Sequence, residues 1–130
     1  MDAEPFASAL NRLGLPGVRF RPAVIEPTFH KHARTTCGGC QIHVLDRRVF
    51  RPVETAVALI AAFHACAPQR FQWREPPYEY EHTKLPIDIL AGSSALREQI
   101  DGGVPAAEIA QSWAPAIERF DRTRQKYLLY

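Results

Sequence analysis

Prolines divide this sequence into short segments, and this punctuation limits the folds that the chain can adopt. The 130 residues include eleven prolines. Proline fixes its own φ angle and lacks a backbone N–H group, so it interrupts helices and the inner strands of sheets. They stand at positions 5, 16, 22, 27, 52, 68, 76, 77, 86, 105 and 115, and most of them lie between segments of regular hydrophobic period. We therefore interpret them as boundaries between short elements, and not as a disordered proline-rich tract.

Composition and charge narrow the class of protein. The chain is 46% hydrophobic and 23% charged, with a formal net charge of +2, which predicts a single globular domain over residues 1–130. The basic residues are spread along the sequence, so we expect no nucleic-acid partner and no membrane partner. No stretch of about 18 residues is apolar and uncharged, and "MDAEPFASAL" lacks the basic-then-apolar order of a secretion signal.

Two segments alternate between apolar and polar residues, as half-buried strands do. In "VRFRPAVIEP", Val18 and Phe20 point to one side of the predicted strand. Arg19 and Arg21 point to the other side. The prolines of this segment are typical of an edge strand. The second strand is "CQIHVLD", which we expect to begin at Cys40, directly after two glycines.

The other periodic segments have helical spacing. "EPFASALNRLG" places Phe6, Leu10 and Leu13 on one face and ends at Gly14. "RPVETAVALIAAFHACAP" is apolar almost all round, which is typical of a buried central helix. Short helices follow in "PIDILAGS" and "SSALREQIDGG", and Pro115 should kink or split the helical tail. The predicted class is α+β: a small mixed or antiparallel sheet packed against a buried central helix, with a helical C-terminal tail.

The segment "TTCGGCQIHVLDR" has two cysteines and a histidine close together. Side chains alternate along a strand, so Cys40 shares the core side with Ile42 and Val44. Gln41 and His43 then lie on the opposite side. On this geometry Cys40 is a core residue, and it diverges from His43.

A thiol–metal site is therefore disfavoured. Cys37, Cys40 and His43 do not share a face, and a closed zinc site would need a fourth ligand. His30 and His32 are near in sequence and keep this alternative open. A redox pair of the thioredoxin type is disfavoured too, because that motif begins a helix, whereas this one leads into a strand.

Four residues of the same segment have two open interpretations. Gly38 and Gly39 permit the close approach of a ligand or of another chain segment, but a tight turn or bulge would also require them. Gln41 and His43 fit the polar lining of a cleft, whereas a hydrogen-bonded structural histidine is the more common case.

The sequence contains no complete active site that a motif search detects. Glu79 and Glu81 lie two residues apart, roughly 6.5 Å along a strand, but a glycosidase needs its two carboxyl groups on opposite sides of a sugar ring. Neither a Gly-x-Ser-x-Gly motif, a phosphate-binding loop nor an HExxH motif occurs.

Several motifs, in order, resemble the C-terminal domain of the NamZ-type exo-β-N-acetylmuramidases, long known only as a domain of unknown function. The resemblance covers the chain from about Leu10 to Tyr130. The motifs that carry it are "LPGVRFRP", "PTFHKH", "CGGCQIHVLDRRVFRPVE", "PPYEYEHTKLPIDILAGS" and "KYLLY". Where this chain has Cys40, family members typically have an aliphatic residue, which agrees with a core position.

The resemblance implies a two-domain bacterial glycosidase. Such enzymes release N-acetylmuramic acid from the non-reducing end of peptidoglycan fragments during cell-wall turnover, in the cell envelope or the cytoplasm. A Rossmann-like N-terminal domain carries the catalytic carboxylate, in cis or in a partner chain, and the C-terminal domain completes the substrate cleft. This chain matches the second domain alone, so we expect it to be inactive in isolation.

The resemblance also implies which surface faces the cleft: the "PTFHKH" loop and the strand around "GGCQIH". His30 and Lys31 are the expected anion contacts, and Gln41 and His43 the expected contacts to hydroxyl or amide groups. Together with the backbone of two glycines, the expected substrate-binding residues are His30, Lys31, Gly38, Gly39, Gln41 and His43. We expect no catalytic residue, no metal ligand and no cofactor in this chain.

Two alternatives differ in class. The first is a non-catalytic binding or interaction module that docks on a partner chain, which predicts an exposed apolar patch near the first strand or the tail helix. The second, less favoured, is a thiol–metal module built from Cys37, Cys40 and the neighbouring histidines.

Overall fold

The chain divides into two compact units in a computed structural model, which describes residues 1–129. Unit 1 is Met1–Pro68 and unit 2 is Gln69–Tyr130. The prediction of one domain over residues 1–130 stays a prediction. Tyr130, which ends the predicted tail and the motif "KYLLY", lies outside the described residues. The α+β class is confirmed, because within residues 1–129 one two-stranded antiparallel sheet accompanies a series of helices.

Unit 1 contains two helices and the sheet, in the order α1 (Ala3–Arg12), β1 (Val18–Ile25), β2 (Cys37–Val44) and α2 (Pro52–Cys66). The Asp2 side chain caps α1 by accepting a hydrogen bond from Glu4 N at 3.2 Å. Phe6 and Leu10 are fully buried, as predicted. The placement of Leu13 on the same buried face is wrong: it is 54% exposed. Leu13 is the C-cap residue of α1, one position beyond the end of the helix at Arg12.

The sheet is a hairpin in which β1 pairs with β2 from Val18↔Val44 to Ile25↔Cys37. Phe20 is buried and Cys40 packs against the same core, as the alternation predicted, whereas Ile42 and Val44, predicted on that side too, are 47% and 44% exposed. The predicted start of β2 at Cys40 is wrong, since the strand begins at Cys37. Gly38 and Gly39 adopt extended conformations inside the ladder, opposite Val24 and Ala23.

Apolar packing joins α1, the hairpin and α2 in one core. Its buried residues are Phe6, Ala7, Leu10 and Phe20. The helix that was predicted as central, α2, begins with a proline in its first turn and lays Leu59, Ala62 and Phe63 against this core. The Phe63 ring lies 4.4 Å from the Phe6 ring between centroids. The helix that lies on the sheet is α1, and these contacts hold α2 against α1, from where Phe63 reaches the groove described below.

Unit 2 consists of short helices: α3 (Pro86–Ala91), α4 (Ala95–Asp101), α5 (Ala106–Ser112) and α6 (Ala114–Arg124), followed by a 3-10 turn (Gln125–Tyr127). The predicted split of the tail is confirmed, because Pro115 lies in the first turn of α6 and not inside a continuous helix. Ile100 and Ile109 are buried, whereas no described residue of α6 is. No helix within residues 1–129 has both the length and the apolar character needed to cross a membrane.

Candidate functional site

The half of the hairpin next to the β1–β2 loop (residues 26–36) borders a groove of about 830 Å³. This volume falls within the roughly 300–1,000 Å³ that is typical of small-molecule sites. The strand register places Arg21 opposite Gln41 and Ala23 opposite Gly39 along it. The residues that line the groove come from both strands and from α2: Arg21, Pro22, Ala23, Val24, Ile25, Cys37, Gly38, Gly39, Cys40, Gln41 and Phe63.

The two glycines of the groove have different surroundings. A Cβ atom on Gly38 would overlap the backbone carbonyl oxygen of Met1, so this position is bare because another chain segment crosses it. A Cβ atom on Gly39 would meet nothing within 4 Å. Of the two interpretations that the sequence left open, Gly38 fits the close approach of another chain segment. Gly39 leaves space for a ligand beside the strand.

A hydrogen bond joins the two strands across the polar wall of the groove. Arg21 donates from Nη2 to Oε1 of Gln41 at 2.6 Å. Arg21 forms no ion pair within residues 1–129. Arg21 was not among the expected contacts. The signal that could have found it is the alternation of β1, which places Arg21 on the face away from the core.

His43 lies on the polar face of β2, opposite Arg19, but it does not line the groove. Its ring is half-buried, and Nε2 is buried without a hydrogen-bond partner in the described part of the chain. A purely structural histidine would normally be satisfied by hydrogen bonds at such a position. Within residues 1–129, His43 thus lacks the hydrogen bond at Nε2 that a structural role would normally include.

His30 and Lys31 lie in the β1–β2 loop and are exposed. Backbone hydrogen bonds shape this loop, among them Arg34 N to Pro27 O at 2.8 Å and Ala33 N to His30 O at 3.3 Å. Neither His30 nor Lys31 lines the groove. Among the six expected substrate contacts, the groove thus brings together Gly38, Gly39 and Gln41, and His43 and the two loop residues lie outside it.

The cysteines do not converge on one point. Cys37 donates from Sγ to the carbonyl oxygen of Thr35 at 3.3 Å, and Cys40 packs against the core. Burial raises the pKa of the Cys40 thiol, which favours its neutral form and lowers its nucleophilicity. Both cysteines are free, and residues 1–129 contain no group of three or more His, Cys, Asp or Glu side chains that could hold a metal ion.

Glu79 and Glu81 of unit 2 belong to a tight turn. Tyr78 and Glu81 exchange backbone hydrogen bonds of 2.9 and 3.0 Å, and Glu79 between them has a positive φ of 52°. Oε1 of Glu81 accepts hydrogen bonds from Thr83 Oγ1 at 2.6 Å, Thr83 N at 2.7 Å and Lys84 N at 3.1 Å.

These bonds, those from Thr83 first, lower the pKa of Glu81 from 4.5 to about 2. A carboxyl group with so low a pKa is ionised at neutral pH and is a poor general acid. The Glu81 carboxylate also borders a crevice of about 480 Å³ beside α3, where Asp88 pairs with Arg97 at 2.9 Å. Glu81 and Asp88 both line this crevice, but Glu81 is held by the turn and Asp88 by Arg97, so neither carboxylate is placed as a glycosidase acid or base.

Comparisons with known proteins agree with the motifs. The family described as "Exo-beta-N-acetylmuramidase NamZ, C-terminal" matches residues 1–130. The peptidoglycan β-N-acetylmuramidase NamZ of Bacillus subtilis (strain 168) is 37% identical over 121 residues, which are 93% of this chain and 27% of that protein. The crystal structure of a DUF1343 family protein from Bacteroides fragilis NCTC 9343 aligns with a TM-score of 0.82 at 29% identity, over 100% of this chain and 33% of that one. The chain thus spans about a third or less of these relatives, and it belongs to the family of C-terminal domains of the exo-β-N-acetylmuramidase NamZ.

Proposed function

We propose that this chain contributes part of the substrate cleft of a peptidoglycan-directed exo-β-N-acetylmuramidase. Such a glycoside hydrolase releases N-acetylmuramic acid from the non-reducing end of muropeptide glycans. The proposal is carried by one observation: Gly38, Gly39 and Gln41, all within the family motif "CGGCQIH", line a single groove of about 830 Å³. The name of the Bacillus subtilis relative supplies the substrate class.

The walls of the groove suit a sugar ring. On the side of the hairpin that carries Arg21 and Gln41, Ala23 and Gly39 form a floor of small residues, and Gly39 leaves open space there. Gln41 accepts its hydrogen bond from Arg21 through Oε1, so its Nε2 group stays available as a donor. Sugar sites commonly combine such apolar surface with a few polar groups that fix the orientation of the ligand.

Bond cleavage belongs, in this proposal, to a carboxylate outside the chain. No Asp or Glu is among the described residues that line the groove, and hydrolysis by the common mechanism needs a pair of them flanking the scissile bond. We expect a Rossmann-like N-terminal domain, in cis or in a partner chain, to supply this group. Our chain would then bind and orient the glycan.

The test is a muramidase assay on two proteins. One is the 130-residue chain alone, and the other is the same chain joined to the N-terminal part of the Bacillus subtilis relative. We expect release of N-acetylmuramic acid from a chromogenic muramide by the joined protein only. Robust release by the isolated chain would contradict the assignment of catalysis to another domain.

A second candidate function is a non-catalytic interaction module. Apolar side chains are exposed at both places where that hypothesis predicted them: Val24 and Ile25 at the end of β1 are 67% and 60% exposed, and Phe120 on α6 is 67% exposed. This hypothesis predicts self-association or capture of the catalytic partner chain. The hypothesis would be contradicted if the chain sediments as a monomer and does not bind the N-terminal part of the relative, supplied as a separate chain.

A further inference from the structure

We propose that Arg21 is the residue of the groove that binds the carboxylate of N-acetylmuramic acid, and so selects this sugar over N-acetylglucosamine. The inference rests on the proposed function and adds to it a residue outside the predicted set. The two sugars differ by the lactyl ether, whose carboxylate is ionised at neutral pH. A residue that binds this group therefore determines specificity.

Arg21 carries the charge of the groove. Among the described residues that line it, Arg21 alone has a charged side chain, and the others are apolar, glycine, cysteine or the neutral Gln41. The guanidinium has no carboxylate partner within residues 1–129. A cation without an internal partner, beside neutral walls, favours an anionic ligand over a neutral one.

One hydrogen bond from its neighbour Gln41 orients the exposed guanidinium. The bond of 2.6 Å from Nη2 to Oε1 of Gln41 uses one donor of the group. A guanidinium has five N–H donors in a planar fork, so the remaining ones can engage both oxygens of a carboxylate. Arg21, Gln41 and Gly39 share one side of the hairpin, so this bond keeps the guanidinium on the side where Gly39 leaves open space.

The other candidate cations are less well placed. Lys31, the expected anion contact, and His30 are exposed in the β1–β2 loop and do not line the groove. Arg19 lies two residues before Arg21 on the same face of β1, but its partner in the register is His43, and it does not line the groove either. Arg19 thus provides a matched control of equal charge.

The experiment is a titration of the ¹⁵N-labelled chain with N-acetylmuramic acid, its methyl ester and N-acetylglucosamine, followed by NMR. The amides of Ala23, Gly39 and Cys40 report on the groove. For the wild-type chain, we expect the acid to bind about fivefold more tightly than the ester or N-acetylglucosamine, the factor of an exposed charge-assisted contact. Arg21→Gln should abolish this preference and leave binding of the neutral sugars unchanged, whereas Arg19→Gln should preserve it.

Each result decides between the two proposals. Suppose that the sugars shift the amide resonances of the groove but that Arg21→Gln retains the preference for the acid. The role of Arg21 is then overturned and the proposed function stands. If Arg19→Gln and Arg21→Gln lose the preference for the acid equally, the role of Arg21 is overturned too, since a general effect of charge would then explain the preference. If no sugar moves the groove amides of the wild-type chain, the cleft assignment falls, and the inference with it.

Discussion

Unit 1 and unit 2 are stabilised by different interactions. In unit 1, the large buried side chains of Phe6, Leu10 and Phe20 form a core shared by two helices and the hairpin. In unit 2, the fully buried large side chains are Ile100 and Ile109, each on a helix of seven residues. Unit 1 thus has a continuous apolar core, whereas unit 2 combines short helices with small amounts of apolar burial.

In unit 2, hydrogen bonds and ion pairs between side chains add to the stability that the small apolar core provides. Arg97 donates from Nε and Nη2 to both carboxylate oxygens of Asp88, at 2.9 and 3.0 Å. Trp73 donates from Nε1 to Asp101 at 2.8 Å. Glu81 holds the turn that precedes α3. The groove therefore lies on the unit whose shape depends on hydrophobic packing, which is far less sensitive to pH and salt than ion pairs are.

The largest effect is expected from the core of unit 1. Phe6→Ala should lower the free energy of unfolding of this unit by about 3–5 kcal/mol, because it removes a buried ring and leaves a cavity. Leu13→Ala, on the exposed side chain that follows α1, should change it by less than about 0.5 kcal/mol. Hydrogen exchange of the amides of β1 and β2 measures both. Similar exchange in the two variants would contradict a core centred on Phe6.

The next effect separates the two glycines of the groove. Gly38→Ala should destabilise unit 1 by about 1–3 kcal/mol, because its methyl group would overlap the Met1 carbonyl oxygen and force the backbone to shift. Gly39→Ala enters open space and should change stability by less than about 0.5 kcal/mol. Denaturant unfolding measures both. A greater loss for Gly39→Ala would contradict the assignment of Gly38 to packing.

In unit 2, a smaller effect should follow loss of the half-buried ion pair. Asp88→Asn removes the carboxylate charge from a bidentate pair whose side chains are only 16% and 22% exposed. Asp121→Asn alters an ion pair with Arg124 that is far more exposed, at 44% and 52%. Exposed pairs contribute little to stability, so Asp88→Asn should lower the thermal midpoint of unit 2 by more than Asp121→Asn. Equal midpoints would contradict a stabilising role of the Asp88–Arg97 pair.

The smallest effect is a local dependence on pH. The bonds from Thr83 and Lys84 lower the pKa of Glu81 from 4.5 to about 2, so they stabilise the folded turn fully above pH 4.5. Their contribution is lost as the pH falls from 4.5 through about 2. The amides of Thr83 and Lys84 should therefore shift in this range, and Glu81→Gln should abolish that titration. A Glu81 that titrates near 4.5 would contradict the observed bonds.

Local pattern was sufficient to predict much of unit 1. Alternation placed Phe20 and Cys40 on the core side of the hairpin and Arg21 on the polar side, because side-chain direction in a strand follows from sequence position alone. The split of the tail at Pro115 followed from the missing N–H group of proline. In both cases the physical cause lies within a few residues of the outcome.

The rest depended on contacts between residues distant in sequence. The start of β2 at Cys37 was missed because an extended Gly38 accommodates Met1, which lies far from it in the chain. The loop positions of His30 and Lys31 were not predictable either, because a loop of this composition has no period that fixes its direction. Three of the six expected contacts line the groove, and the substrate-binding role of all six stays a prediction.

The most direct measurement fills the groove without disturbing its walls. Gly39→Leu places a branched side chain where a Cβ atom has no neighbour within 4 Å, and Gly39→Ala is the matched small substitution. In NMR titrations with N-acetylmuramic acid, the account predicts shifts confined to the groove in the wild-type chain, retained in Gly39→Ala and lost in Gly39→Leu at unchanged stability. Undiminished binding by Gly39→Leu, or shifts that map to residues 69–129 instead, would contradict a sugar-binding role for the hairpin.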